Sequence, residues 1–342
     1  MLQHSPHLAL YRKYRPQTFD VVVGQDKIVD LLQVSIKQNK ISHAYLFCGG
    51  RGTGKTTVAR IFARDIGCNP EDIIEIDAAS NRGIDEIREL RDAVRTMPFS
   101  SPYKVYIIDE VHMLTKEAAN ALLKTLEEPP SHVIFILATT DPDKLPQTIV
   151  SRCQKLIFSS PSNEILAKQL SYVAGKEGKD IDEATAMLIA AHGDGSYRDA
   201  LGVLEQVLTS STKKITHDSV MVYLGVTKDE LVLELIKSIC SKDNDTLLNL
   251  FEELEKGHYS PHKVYDDLIE MLRQGLLIRV RGKENIDDTK KALSLIAKEY
   301  PYVLSSKTIL HLLTKRDILA VSTRTSWTAF QAVMIELVEG GA

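Results

Sequence analysis

The chain has 342 residues, 44% of them apolar and 26% charged, with a formal net charge of −4. That length accommodates two or three domains with cores of their own, and the composition excludes a collagen, a disordered chain or a disulfide scaffold. A polycationic nucleic-acid glove is excluded too: residues 1–160 carry 20 basic against 19 acidic side chains, and the remainder 22 against 27.

From the N-terminus, Met1–Leu10 lacks the basic start and sustained apolar stretch of a secretory signal. No apolar run approaches the roughly 20 residues of a spanning helix. Short apolar runs at Ala44–Cys48, Ile73–Ile76, Val105–Ile108, Val133–Ala138 and Lys155–Phe158 read as buried strands. Helical patterns such as Thr56–Ile66 and Lys116–Glu128 separate them, the second stopping at Pro129-Pro130. Buried strands alternating with helices predict a parallel sheet covered on both faces. After Pro161 the strand signal ends. Amphipathic helices follow, broken at His192–Ser196, Gly225–Lys228, Gly257–Pro261 and Gly282–Asp288. The expected division is an α/β domain over 1–160, a small helical lid over 161–225 and an all-α bundle over 226–342.

The chemistry concentrates in the α/β part. Gly49-Gly50-Arg51-Gly52-Thr53-Gly54-Lys55-Thr56 matches G-x-x-x-x-G-K-[ST] between a strand and a helix. Its glycines let backbone N–H groups converge on phosphate oxygens, Lys55 adds a charge, and the Thr56 hydroxyl can ligand magnesium. Thr57 follows at the helix start. Val105–Ile108 then delivers Asp109 to that metal and Glu110 to the attacking water. Glu110 is what separates hydrolysis from mere binding.

Further segments add specificity: Tyr11-Arg12-Lys13-Tyr14-Arg15-Pro16, Val23-Gly24-Gln25, His43-Ala44-Tyr45-Leu46-Phe47, Ile76-Asp77-Ala78-Ala79-Ser80, Asp109-Glu110-Val111-His112-Met113-Leu114, Leu126-Glu127-Glu128-Pro129-Pro130, Ala138-Thr139-Thr140 and Ser151-Arg152-Cys153. With these the chain resembles the AAA+ ATPases, and within them the gamma/tau family of bacterial clamp-loader subunits, across nearly all of residues 8–225. The resemblance implies a parallel-sheet P-loop domain, a lid and a helical collar. It implies ATP and Mg2+ as ligands, with Tyr11, Arg12, Arg15, Pro16, Val22 and Val23 lining the adenine pocket. Thr140 looks like the polar sensor of the γ-phosphate; the alternative is a strand-end hydroxyl capping its own backbone. Arg152 looks like an arginine finger acting in trans, against the alternative of a surface ion pair. Arg198, in Ser196-Tyr197-Arg198-Asp199-Ala200, looks like the lid residue that folds over the phosphates of its own chain. Implied partners are delta- and delta-prime-like subunits, copies of the chain itself in a five-membered ring, the sliding clamp and primed double-stranded DNA. No membrane is implied.

Arg82 and Arg88 are the candidate DNA contacts, on a stretch whose arginines alternate with acids and also read as a self-paired helix face. His43 and His112 have no partners at metal spacing and read as core or hydrogen-bonded histidines. In one respect the chain departs from its resemblance. Members usually insert a four-cysteine zinc module before the second strand, whereas here Cys68 leads through Asn69-Pro70-Glu71-Asp72 straight into Ile73. Cys48, Cys68, Cys153 and Cys240 form no C-x-x-C pair, so the expectation is a reduced, cytoplasmic protein without zinc. The resulting reading is a clamp-loading ATPase; its rivals are a nucleotide-dependent scaffold and a protein like the small subunits of replication factor C.

Overall fold

Five short strands carry the first half of the molecule. The structure is a computed structural model that describes residues 8–81, 83–210, 215–225, 227–257, 259–281, 288–320 and 325–340. Its chain divides into two units, Met1–His217 and Asp218–Ala342.

In the first unit, α1 (Leu10–Lys13) and α2 (Asp26–Lys37) precede β1 (Ala44–Gly49), α3 (Lys55–Asp65), β2 (Ile73–Asp77), α4 (Ile84–Val94), β3 (Lys104–Asp109), α5 (Lys116–Glu127), β4 (Val133–Thr139), α6 (Gln147–Val150) and β5 (Gln154–Phe158). All strand pairs are parallel, in the order β2-β3-β4-β1-β5. Each predicted strand is present to within one residue at either end. The reason is physical: β1 and β4 are buried on both faces, so their side chains read as unbroken apolar runs. Alternate residues still divide between two cores. Tyr45, Phe47, Ile107 and Ile136 pack with Val58 and Phe62 of α3, while Leu46, Ile108, Phe135 and Leu137 pack with Leu122 and Leu126 of α5.

Sheet order places the chemistry. The chain leaves β1 for the far edge and returns through β3 and β4 until β4 lies beside β1. The carboxyl ends of β1, β3 and β4 therefore stand side by side, with Cys48 opposite Thr139 and Ile108 opposite Leu137. Ligands of open parallel sheets bind at such a reversal.

Between α3 and β2 the chain takes the short route anticipated from Cys68. The Cys68 thiol is buried and donates to the Tyr103 carbonyl at 3.3 Å. After a single turn over Pro70–Asp72, the buried Asp72 carboxylate accepts from the N–H groups of Phe99 at 2.6 Å and Ser100 at 3.1 Å. Burial alone would raise the pKa of Asp72, but those bonds and the Ser101 hydroxyl hold it below the ordinary carboxylate value. Asp72→Ala removes the buried acceptor of two N–H groups on exposed residues and is expected to cost about 1 kcal/mol of stability, read from chemical denaturation. Because the folded pKa is depressed, this contribution is present above about pH 4 and fades as pH falls through the folded value. Wild type and variant should converge in acid; a neutral-pH difference near zero would show that the acid does not anchor the loop.

The helices α7 (Asn163–Lys176), α8 (Glu183–His192) and α9 (Tyr197–Ser210) complete the first unit. Ser162 and Asp182 cap α7 and α8, accepting from Ile165 N–H and Thr185 N–H. The N-terminal segment is fastened to them: Glu177 takes Lys13 at 2.7 Å and also the Tyr14 hydroxyl.

The second unit is helical: α10 (His217–Leu224, starting at the boundary), α11 (Asp229–Ser241), α12 (Asn244–Lys256), α13 (Pro261–Arg281), α14 (Asp288–Glu299), α15 (Ser306–Ala320) and α16 (Ser326–Glu339). Phe330 is its anchor, edge-on to Phe251, Tyr265 and Trp327 at centroid distances of 5.9, 6.3 and 5.5 Å. The buried Tyr265 hydroxyl is satisfied by the Leu312 carbonyl at 2.8 Å.

Candidate nucleotide site

Beyond the end of β1 an open cleft of about 990 Å³ lies between the sheet and the lid helices, counting its solvent-facing mouth. Of the residues read from sequence, Tyr11, Arg15, Pro16, Val22, Val23, Gly52, Thr53, Gly54, Lys55, Thr56, Thr57, Asp109, Glu110 and Arg198 line it. Arg12, Gly49, Gly50, Thr140 and Arg152 do not.

The phosphate loop earns its glycines by close approach. Gly52 has φ +69°, and a Cβ there would sit 1.9 Å from the Ser196 Oγ of the lid. Lys55 is 6% exposed and its ammonium donates to the Gly49 and Gly50 carbonyls at 2.8 and 2.7 Å. Burial lowers the Lys55 pKa, against the opposing pull of Glu110 and Asp109. A buried cation satisfied by neutral carbonyls is a strong acceptor site for an anion.

Thr56 Oγ1 donates to Asp109 Oδ2 at 2.8 Å. A hydroxyl and a carboxylate side by side are hard oxygen donors, the set that magnesium takes together with phosphate oxygens. The residues fit that ion.

Glu110 is the strained member of the site, a non-glycine residue at φ +49°. Its Oε2 accepts from the Thr140 hydroxyl at 2.9 Å and from the Thr140 N–H at 3.3 Å. Thr140 is therefore a partner of Glu110 and not a lining residue. His112, read as a core or hydrogen-bonded histidine, lies beside this pair: its Nδ1 is 2.9 Å from Thr139 Oγ1 and 3.4 Å from Glu110 Oε2.

At the other end the guanidiniums gather. Arg198 and Arg12 stack over the Tyr11 ring at 5.4 and 5.7 Å. Burial lowers the Arg15 pKa, and the charges of Arg60, Arg198 and Arg12 lower it further. Arg60 is neutralised by Glu75 through two bonds of 2.5 Å, whereas Arg15 and Arg198 have no carboxylate partner among the described residues. The cleft asks for negative charge.

Arg152 lies elsewhere, following α6, with Nη2 2.7 Å from Glu127 and Nη1 2.8 Å from the Thr148 carbonyl. Arg82 lies outside the described residues; Arg88 falls within α4, and its side chain is outside them as well. Sequence reading missed Tyr14, Val21, Gln169, Tyr197 and Leu201 as lining residues. Gln25 was also missed as a brace, its amide donating to Thr53 and Ser159 carbonyls at 3.3 and 2.8 Å. Tyr14, Tyr197 and Gln25 carried a signal, by standing inside quoted motifs.

Comparison with known proteins decides the family. Tau of DNA polymerase III from Bacillus subtilis is 42% identical over 315 residues, 84% of this chain and 56% of its own length. DNA polymerase III gamma from Buchnera aphidicola subsp. Baizongia pistaciae is 36% identical over 303 residues, 82% of both chains. The chain belongs to the gamma/tau family of DNA polymerase III subunits. It spans about half the length of several curated relatives that it matches. The profile of a family described as DNA polymerase III, delta subunit, matches residues 24–82 and 70–162. Among solved structures, the RuvB Holliday junction branch migration motor of Thermotoga maritima aligns with a TM-score of 0.53 at 23% identity, covering 66% of this chain and 78% of that one. That likeness shows the AAA+ fold.

Among the described residues no group of three or more His, Cys, Asp or Glu side chains is placed to hold a metal. All four cysteines are free thiols, and burial pushes the pKa of Cys68 to about 11 and those of Cys153 and Cys240 to about 12. Zinc coordination needs thiolates gathered around one point. Elemental analysis after mild chelation is expected to find less than about 0.1 equivalent of zinc; one retained equivalent would overturn the expectation.

Proposed function

We propose that the chain binds ATP with Mg2+ in this cleft, hydrolyses it, and works as a motor subunit that loads a ring-shaped sliding clamp onto primed double-stranded DNA. The observation that carries the reading is the convergence of Lys55, the Thr56–Asp109 pair and Glu110, the last braced from behind by Thr140, in one cleft of a gamma/tau family member. Lys55 exchanges its loop carbonyls for β- and γ-phosphate oxygens. Thr56 and Asp109 would hold the magnesium ion, whose charge would offset that of those phosphates. Glu110 takes a proton from the water whose oxygen bonds to the γ-phosphorus as the bond to ADP breaks, while Thr140 donates to one of the carboxylate oxygens and keeps it oriented. Arg198, opening the lid helix, closes on the same phosphates.

In this reading 1–160 is the ATPase domain, 161–225 the lid and 226–342 the collar. Delta- and delta-prime-like subunits and further copies of the chain complete a five-membered ring in the cytoplasm, with Arg152 serving a neighbouring site and Arg82 and Arg88 contacting DNA phosphates. No described helix is long and apolar enough to cross a membrane. The intact Lys55, Asp109, Glu110 and Arg152 argue against a nucleotide-dependent scaffold. ATP turnover, measured with and without clamp, primed DNA and the partner subunits, is the test. Stimulation of at least about tenfold by the full set is expected; turnover indifferent to clamp and DNA would refute the loading role, and absent turnover the ATPase.

A further inference from the structure

Two walls of the cleft are tied to the lid by one residue. Tyr197, the first residue of α9, donates its N–H to the Gly52 carbonyl at the phosphate-loop apex, at 3.0 Å. Its hydroxyl donates to the Val23 carbonyl at 2.8 Å, across 174 residues of chain. Gly24 makes room for that contact: it stands at φ +75°, and a Cβ there would lie 2.9 Å from the Tyr197 hydroxyl.

The second bond matters because of what it restrains. Residues Val22–Gly24 connect a short helical turn to α2 and belong to neither, and Val23 is 40% exposed. The exposed Val23 side chain does little to fix the peptide plane that follows it, and a glycine on the far side of that plane leaves rotation cheap. The tyrosine hydroxyl donates to the carbonyl and holds it in one direction, and burial pushes the hydroxyl's pKa further up, to about 12. A carbonyl oxygen has two lone pairs, so one remains for a ligand. The catalytic groups Lys55, Asp109 and Glu110 make no contact with the tyrosine hydroxyl among the bonds described.

We infer that Tyr197 is a positioning residue, which pins the base-side wall and the loop apex to the lid helix and so sets affinity for the nucleotide without acting on the chemical step. The inference rests on the reading of the cleft as an ATP site. A wall already ordered in the free protein spares the ligand the cost of ordering it.

Tyr197→Phe removes the hydroxyl and keeps the ring. Titration of the full chain with a fluorescent ATP analogue, alongside steady-state turnover, is expected to show Kd and KM raised about tenfold and kcat within about twofold. Gly24→Ala reaches the same contact from the opposite side. It is expected to weaken binding in the unaltered background and much less in the Tyr197→Phe background, where the hydroxyl it crowds is gone. Unchanged Kd and KM in Tyr197→Phe, or a fall in kcat at constant KM, overturns the inference. So do equal Gly24→Ala losses in both backgrounds, which mark backbone strain alone. An unaltered chain that binds no ATP overturns the site reading and this inference together; normal binding by both chains overturns the inference alone.

Discussion

Lys55→Ala is expected to abolish ATP binding and reduce turnover at least about a hundredfold while the protein stays folded. Loss of one preorganised donor to developing phosphate charge costs about 10²–10³ in rate by itself. Here the donor is also the cation at the heart of the loop, buried and held by two carbonyls. Stability should not suffer. Burial sets the folded pKa of Lys55 below its unfolded value, so at neutral pH the charged side chain weighs against folding, and its removal relieves that cost. The two states can be separated in one thermal melt. Wild type in a hundredfold excess of ATP over Kd gains about 2.7 kcal/mol and its midpoint rises; the variant starts from an equal or higher midpoint and gains nothing. A folded variant with undiminished turnover would remove Lys55 from the mechanism, and a collapsed midpoint without ATP would show it to be structural.

What could be read from sequence followed a physical rule. Strands buried on both faces announce themselves as apolar runs, and the loop Gly49–Thr56 announces itself because phosphate binding demands glycine, lysine and a hydroxyl at fixed spacing. Asp109 and Glu110 are legible for a related reason: a parallel sheet exposes the carboxyl ends of its strands, and acids there have a use. The helix Asp26–Lys37 was less legible. Ile28, Val29, Leu32 and Ile36 give it an apolar stripe toward the core, but no motif or preceding strand singles it out from the sequence. Contacts between distant segments left no trace at all. Neither the seat of the Asp72 carboxylate under Phe99 and Ser100, nor the Tyr197 bond to Val23, follows from periodicity or spacing. Thr140 was legible as a strand-end hydroxyl, but its partner was not: Glu110 reaches it because β3 and β4 are neighbours and Glu110 turns into the left-handed region. Motif residues declare their own chemistry, whereas the side chains that hold them in place are chosen by the fold.

Arg152 offers the second large effect, and the one that tests assembly. Its guanidinium lies outside the cleft of its own chain, bonded to Glu127 and the Thr148 carbonyl. If it completes a neighbour's site, Arg152→Ala should lower turnover of the assembled complex about 10³-fold while ATP affinity of the isolated chain stays unchanged. Glu110→Gln should give a loss of about 10²–10³ with ATP binding retained, since it removes the base and keeps the shape. Each variant alone is then nearly inactive, for different reasons. Mixed before assembly, they form some interfaces in which an Arg152→Ala chain supplies a working base and a Glu110→Gln neighbour supplies a working arginine. In head-to-tail contacts between copies, an equal mixture pairs them this way at about one interface in four, so recovery toward a quarter of wild-type activity is expected. If both groups served the same nucleotide from the same chain, every site in the mixture would lack one of them, and no ratio would restore turnover. Recovery that peaks at intermediate ratios therefore requires that the base and the arginine come from different chains.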